Sequence, residues 1–360
     1  MISPSHFREV VSGRSRGLSA TVLRSALRMC ETPYAWAMRV RNHRYDRGLT
    51  ETHRVDVPVV SIGNLSLGGT GKTPLVLWVA RYFRQRGVRV SIVSRGYAAG
   101  DDGRNDEALE LELALPEVPH LQNANRVEAA RRAIKERKTE LILLDDGFQH
   151  RRLERDLDIV LLDATEPFGF EHVFPRGTLR EPIEGLARAD VVVLSRADML
   201  SAEAREVVRQ RASQFAPRAA WCEVQHTAQD LVDAQGQSLS LEALAGKRVA
   251  AFCGIGNPAG FRHTLESLGA DVAIWQEFPD HHGYTRADVE SLVQWAAGAE
   301  LAVCTRKDLV KLGLTQVGAT PLWSIRVDLS FLAGQQDFLA ALEGVKISNK
   351  FSNKIGKRVD

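Results

Sequence analysis

Lys72 and Thr73 close a run of small residues, SLGGTGKTP over 66–74, that follows the apolar stretch VPVVSIGN. Residue types in this order bind phosphate. Gly68, Gly69, Thr70 and Gly71 let successive backbone N–H groups converge on phosphate oxygens, and a helix opening at residue 73 adds the partial positive charge of its N-terminus. Lys72 is placed to reach the β- and γ-phosphates of a nucleotide, and the Thr73 hydroxyl to ligate Mg²⁺. Pro74 falls in the first turn, where a missing N–H costs little. The pattern departs from G-x-x-x-x-G-K-[ST] only at its first position, which is Ser66.

A nucleotide site needs a second element, an acidic residue ending a buried strand. LILLDDGFQH supplies Asp145 and Asp146 after four apolar residues, and one of the two carboxylates would hold Mg²⁺ directly or through water. Asp163 also ends an apolar run, IVLLD, and competes for the same role. Three further clusters carry chemistry. In NDEA, Asp106 and Glu107 suit a general base or a metal partner, and equally a helix start. In PRGTLREP, Arg176, Arg180 and Glu181 suit a phosphate clamp or a surface ion pair. In FPDHHGYT, Asp280 stands beside His281 and His282, an arrangement suited to handling a proton or to a purely structural turn.

These residues need strands and helices to place them. From residue 56, apolar runs of strand length (VDVPVVSI, VRVSIV, ELILLDD, LDIVLLD, VVVLS) alternate with helical stretches near 73–86 and 124–137. Such runs belong to parallel strands buried on both faces. A second series begins near residue 247 with RVAAFCGI and continues through DVAIWQEF, LAVCT and LWSIRVDL. The expected fold is therefore α/β: a nucleotide-binding parallel-sheet domain of the P-loop type over 56–235, a smaller α/β domain over 236–345, and a loose basic tail over 346–360. Before them, residues 1–55 carry ten Arg against four acids. Within 19–47 the spacing predicts two short amphipathic helices, the second starting at Thr32-Pro33. Their aromatic and basic residues suit either an anionic lipid surface or a helix packed on its own domain.

The overall net charge of +2 argues against a nucleic-acid-binding surface. Four scattered cysteines without a C-x-x-C pair indicate neither a disulfide framework nor a zinc site. No apolar run reaches the length of a membrane-spanning helix, so the expected location is the cytoplasm or a membrane surface. A guanine-reading Asn-Lys-x-Asp is absent; SRAD over 195–198 is the nearest segment. Two function classes remain: a kinase, or a nucleotide switch or delivery ATPase acting on a protein partner.

Taken in order, SIGNLSLGGTGKTP, SRGY (94–97), NDEA followed by NRVEAA, DDGFQHRRLERDLDIVLLDA, GTLREP, FPDHHGYT and TRKDLVKL (305–312) resemble the tetraacyldisaccharide 4'-kinases of lipid A assembly. The resemblance covers about residues 20–345. It implies transfer of the γ-phosphoryl group of ATP, with Mg²⁺, to the 4'-hydroxyl of a tetraacyldisaccharide 1-phosphate. It also implies N-terminal helices on the cytoplasmic face of the inner membrane, where the acyl chains of the acceptor reside. The family has Ser or Thr where Ser66 stands. Asp106 resembles its catalytic carboxylate, Glu107 the acidic neighbour and His281 the assisting histidine, with His282 adjacent. Arg180 and Glu181 match its Arg-Glu. Arg95, Tyr97, Arg126 and His150 match positions near the acceptor or nucleotide.

Overall fold

The computed structural model describes residues 4–96, 106–280 and 282–347, with the backbone alone for residues 4, 5, 106 and 107. In chain order the helices and strands are α1 (Pro4–Val11), α2 (Leu18–Asp46), β1 (Val59–Asn64), α3 (Lys72–Gln85), β2 (Val90–Ser94), α4 (Asp106–Ala114), β3 (His120–Gln122), α5 (Arg126–Arg137), β4 (Leu141–Asp145), β5 (Leu157–Asp163) and β6 (Val191–Ser195). They continue with α6 (Ala202–Phe215), β7 (Ala220–Val232), β8 (Ser238–Leu239), β9 (Arg248–Cys253), α7 (Pro258–Ser267), β10 (Asp271–Glu277), α8 (Arg286–Trp295), β11 (Leu301–Cys304), α9 (Arg306–Leu312), β12 (Gln316–Val317), β13 (Thr320–Ala333) and α10 (Gln335–Glu343).

Two compact units form, and they are interleaved in the chain. Among the described residues the first comprises 4–96, 115–225 and 331–347; the second comprises 106–114, 226–280 and 282–330. The contiguous blocks read from the sequence miss this division. The helix carrying Asp106 belongs to the second unit, where α4 packs on α9, and α10 belongs to the first. Strand-like runs do not reveal where a chain leaves one core and enters another, because β7 and β13 read as single strands although each is divided between units.

In the first unit the strand order is β7-β6-β5-β1-β4-β2-β3, with every neighbouring pair parallel. All residues of β1, β2, β4, β5 and β6 are buried. That explains their unbroken Val, Ile and Leu runs, since helices cover both faces of such a sheet. Each such side chain contributes roughly 1.5–3 kcal/mol on burial. One apolar cluster gathers Leu65, Phe148, Leu162 and Leu194; another gathers Val59, Val93, Ala130 and Leu144. The outer side of α3 is covered from the chain's far end: Trp78 meets Phe331 and Phe338 edge-on at ring distances of 5.3 and 5.6 Å. In the second unit β10-β9-β11-β13 are likewise parallel, with α7 and α8 on clusters built around Phe261 and Phe252.

The N-terminal region departs from expectation. In place of two short helices over 19–47, α2 runs unbroken from Leu18 to Asp46 with Pro33 inside it. An interior proline removes a helix hydrogen bond and costs about 3 kcal/mol. Tertiary bonds on both sides of it offset this cost. Before Pro33, the Glu31 carboxylate accepts from the Val173 backbone N–H at 2.8 Å and lies 3.1 Å from His172 Nδ1. After it, the Tyr34 hydroxyl donates to the Arg180 carbonyl at 2.9 Å. Both halves are thus fastened to one loop.

Candidate active site

Strand β1 ends at Asn64 and α3 begins at Lys72, so residues 65–71 form the turn between a central parallel strand and a helix. Gly71 is the N-cap of α3 with φ 82°, and no side chain caps this end. By contrast α5 is capped by Asn125, whose side chain accepts from Glu128 N–H. The first N–H groups of α3 therefore point out of the helix without a side-chain acceptor, as an anion site requires. Asn64, fully buried, organises the turn: its Nδ2 donates to the Ser66 carbonyl at 2.7 Å, and its Oδ1 accepts from Lys72 Nζ at 3.3 Å. Thr70 is buried, and its hydroxyl has no hydrogen-bond partner among the described residues.

The acidic pair lies at the end of the neighbouring strand. The β1–β4 register pairs Ile62 with Asp145, so β4 delivers both acids to the same end of the sheet as the turn. Asp145 is buried. Asp146 takes a left-handed conformation, φ 51°, which lets the chain double back so that Gly147 N–H bonds the Ile62 carbonyl. Gly63 has to be glycine here, because a Cβ would lie 2.7 Å from the Phe148 Cβ and backbone N. Asp146 lies 3.5 Å from Lys72 Nζ and accepts from Arg180 Nη1 at 2.8 Å on both oxygens. Burial pushes its carboxyl upward, but Lys72, Arg180 and Arg126 outweigh that and hold it well below the usual carboxylate range.

Arg126 opens α5 with its side chain buried, and its Nε has no hydrogen-bond partner among the described residues. Burial lowers its proton affinity, partly offset by Asp146 and Asp145. His150, four residues past Asp146, is pushed down to about 3 by burial and by the positive field of Arg126, Arg155, Arg152 and Arg41, so its imidazole is neutral at physiological pH. Its Nε2 is buried and also lacks a partner among the described residues. Arg95 follows β2 and is exposed. Lys72, Arg126 and Arg180 thus gather around an acidic pair beside an uncapped helix, an arrangement suited to an anionic ligand.

Other expected residues are placed differently. Glu181 was expected at the substrate, yet it is fully buried, and its carboxylate accepts from Asn42 Nδ2 (2.6 Å), Gln149 Nε2 (3.1 Å) and Arg188 Nη2 (2.8 Å). It joins α2 to the Arg180 loop, and acts on a ligand only through them. Arg176 donates to the Val11 carbonyl at 2.9 Å, so it holds α1. Asp163, which competes for the role of second acid, is bonded to Arg196. Asp280 pairs with Lys307 at 3.0 Å. His282 is oriented by Asp288 (3.1 Å) and stacks on Phe278 at 4.8 Å. Asp288 is also the N3 residue of the Thr285 capping box of α8, so the His282 ring is part of a fixed turn. Tyr97 and His281 lie outside the described residues, as do the side chains of Asp106 and Glu107, although the backbone shows Asp106 opening α4. Asn64, Gln149 and Arg196 were missed from sequence. Asn64 left one signal, an amide side chain ending a mostly apolar strand.

Comparison with known proteins identifies the family. The family described as tetraacyldisaccharide-1-P 4'-kinase, LpxK, matches residues 23–346. A tetraacyldisaccharide 4'-kinase of Anaeromyxobacter sp. (strain K) is 44% identical over 88% of this chain and 89% of that protein. One of Geobacter sulfurreducens is 34% identical over 90% of this chain and 94% of that protein. A crystal structure of the "apo" form of LpxK from Aquifex aeolicus in complex with ATP superposes with a TM-score of 0.71 at 27% identity, covering 90% of this chain and all of that one. A protein-directed nucleotide switch is not favoured: the chain belongs to the tetraacyldisaccharide-1-P 4'-kinase family, the phosphotransferases that act in lipid A assembly.

Proposed function

We propose that residues 65–73 bind the phosphates of ATP and that the chain transfers the γ-phosphoryl group to the 4'-hydroxyl of a tetraacyldisaccharide 1-phosphate on an anionic membrane surface. One observation carries this reading: an uncapped helix N-terminus presents Lys72 3.5 Å from Asp146, which Arg180 also holds. Lys72 and Arg180 absorb charge on the transferred group; their present partner, Asp146, is the carboxylate a phosphate would displace or share. Arg126 adds a third cation, and neutral His150 offers its ring to the acceptor without competing charge. Arg95 and Tyr97 are proposed to contact the acceptor or the nucleotide, as the resemblance to the family implies.

The donor set fits Mg²⁺. Among the described residues no three His, Cys, Asp or Glu side chains converge on one point. Mg²⁺ needs no such cage, since it takes one or two carboxylates and completes its shell with phosphate and water. Asp145 and the Thr73 hydroxyl would hold it, with Asp146 beside them; the resemblance to the family adds Glu107 as a candidate acid. The ion would neutralise phosphate charge during transfer.

Asp106 is proposed as the base that draws the proton from the sugar hydroxyl, assisted by His281. The engagement of His282 with Asp288 and Phe278 favours His281 as the histidine presented for chemistry. The direct test is transfer of label from γ-labelled ATP to tetraacyl disaccharide 1-phosphate in detergent micelles. Lipid product is expected; robust acceptor-free hydrolysis with no lipid product would overturn the assignment. In the same assay Asp106→Ala should lower kcat at least about 100-fold while ATP affinity changes less than about twofold. Turnover within a few-fold of wild type would place the base elsewhere.

The membrane reading rests on α2. Its outer face exposes Leu18 (83%), Val22, Met29 (73%), Trp36 (67%) and Val40. These residues recur four or seven apart and share one face. Exposed Arg28, Arg39 and Arg44 flank them. No helix among the described residues is long and apolar enough to cross a membrane. We infer a helix lying in the headgroup region of the inner membrane's cytoplasmic face.

A further inference from the structure

Arg196 follows β6 in a left-handed conformation, φ 56° and ψ 38°. A non-glycine residue is held there only when its surroundings demand it. Its side chain is mostly buried and forks between two partners. Nη1 donates to Asp163 Oδ2 at 2.5 Å, and Nη2 donates to the Gly69 carbonyl at 2.9 Å. Asp163 ends β5, the strand between β6 and β1, so the guanidinium reaches past that strand's end to the phosphate-binding turn. The carboxylate is itself fixed, because its other oxygen accepts from Thr165 N–H at 3.0 Å and Thr165 Oγ1 at 2.8 Å. Both Asp163 oxygens are thus engaged. The carboxylate anchors one arm of Arg196 so that the other grips the turn.

We propose that Arg196, held by Asp163, is a positioning residue that sets the direction of the Gly69–Thr70 peptide for ATP binding. In a trans peptide the C=O of one residue and the N–H of the next point to opposite sides. With the Gly69 oxygen bound by Arg196, the Thr70 N–H is directed away from Arg196 and available to phosphate. Small residues on both sides leave this peptide otherwise free to rotate. A rotation that turned the carbonyl inward would set oxygen against phosphate oxygen. A lysine has one nitrogen where the fork has two, so it cannot bridge Asp163 and Gly69 with the same geometry. This inference rests on the reading that residues 65–73 bind ATP.

The test uses the full-length chain, with ATP binding measured by calorimetry and transfer followed in micelles. Arg196→Ala should raise the ATP Kd and KM about tenfold, the scale of one lost charge-assisted hydrogen bond. The KM for the lipid acceptor should stay within about twofold and kcat at saturating ATP within about threefold, a split that general loosening of the fold would not produce. Arg196→Lys should fall between Arg196→Ala and wild type. Asp163→Asn, which keeps the guanidinium but weakens its anchor, serves should Arg196→Ala not fold, and a rise of about threefold in ATP Kd is expected. Folded Arg196→Ala or Asp163→Asn with wild-type ATP Kd would overturn the proposal alone. A wild-type chain that does not bind ATP would overturn the site assignment and this inference together.

Discussion

His150 shows how a cationic site constrains its own side chains. Its value of about 3 lies below the ordinary imidazole value of 6.5, so between those limits the unfolded chain binds a proton that the folded chain does not. Stability therefore falls as pH drops through that window and is insensitive to His150 above it. Between pH 7 and pH 5 this side chain should remove up to about 2 kcal/mol. Urea unfolding of wild type and His150→Gln at the two pH values measures it: wild type should lose more than the variant, and equal losses would mean that the imidazole is protonated in the fold. Asp146 behaves in the opposite sense, since its depressed carboxyl contributes stability that is lost only in strong acid. At this scale the turn between a buried strand and a helix that carries Lys72 and Thr73 was readable from type and spacing, because its glycines and its uncapped helix start are local features. Glu181 was misread because an Arg-Glu pair in a loop carries no sign of which member is buried. Only the fold brings Asn42, Gln149 and Arg188 to it.

At the scale of elements, α2 does two things at once. Its inner face bonds the loops that carry the site: Tyr34 to Arg180, Arg41 to the Gln149 carbonyl at 2.6 Å and Asn42 to Glu181. Its outer face is the apolar stripe with flanking arginines. Changing Met29 and Trp36 together to Glu should lower binding to anionic vesicles at least about tenfold, with ATP affinity unchanged because neither residue faces the loops. Co-sedimentation measures the first and calorimetry the second; undiminished sedimentation would assign membrane contact to another surface. The alternation of strands and helices was legible because strands buried on both faces leave continuous apolar runs. The continuity of α2 through Pro33 was not legible, because local propensity breaks a helix there. What keeps it whole is the loop around residues 172–181, far away in sequence.

At the scale of the whole molecule, the interleaving of the two units matters most. The nucleotide-binding unit is completed by residues after 330, with Phe338 fully buried against Trp78. Phe338→Ala should destabilise this unit by about 3–5 kcal/mol, more than 260 residues from the Lys72 turn that depends on it. A thermal melt with and without ATP checks this: a lower transition in both conditions is expected, and an unchanged one would show that α10 is dispensable. Two α/β units were readable in outline, since the second run of strands near residue 247 stands apart. Their boundaries were not, because membership depends on contacts that no local pattern encodes.

That α10 lies against α3 has a consequence for how the chain is made. A segment made long after α3 supplies part of the cover for the helix that starts at Lys72. An unfinished chain therefore carries the ATP loop on a helix whose aromatic flank is still open. A chain that lacks α10 should therefore hold the turn at Lys72 less firmly, because Trp78 loses the ring of Phe338 that covers it.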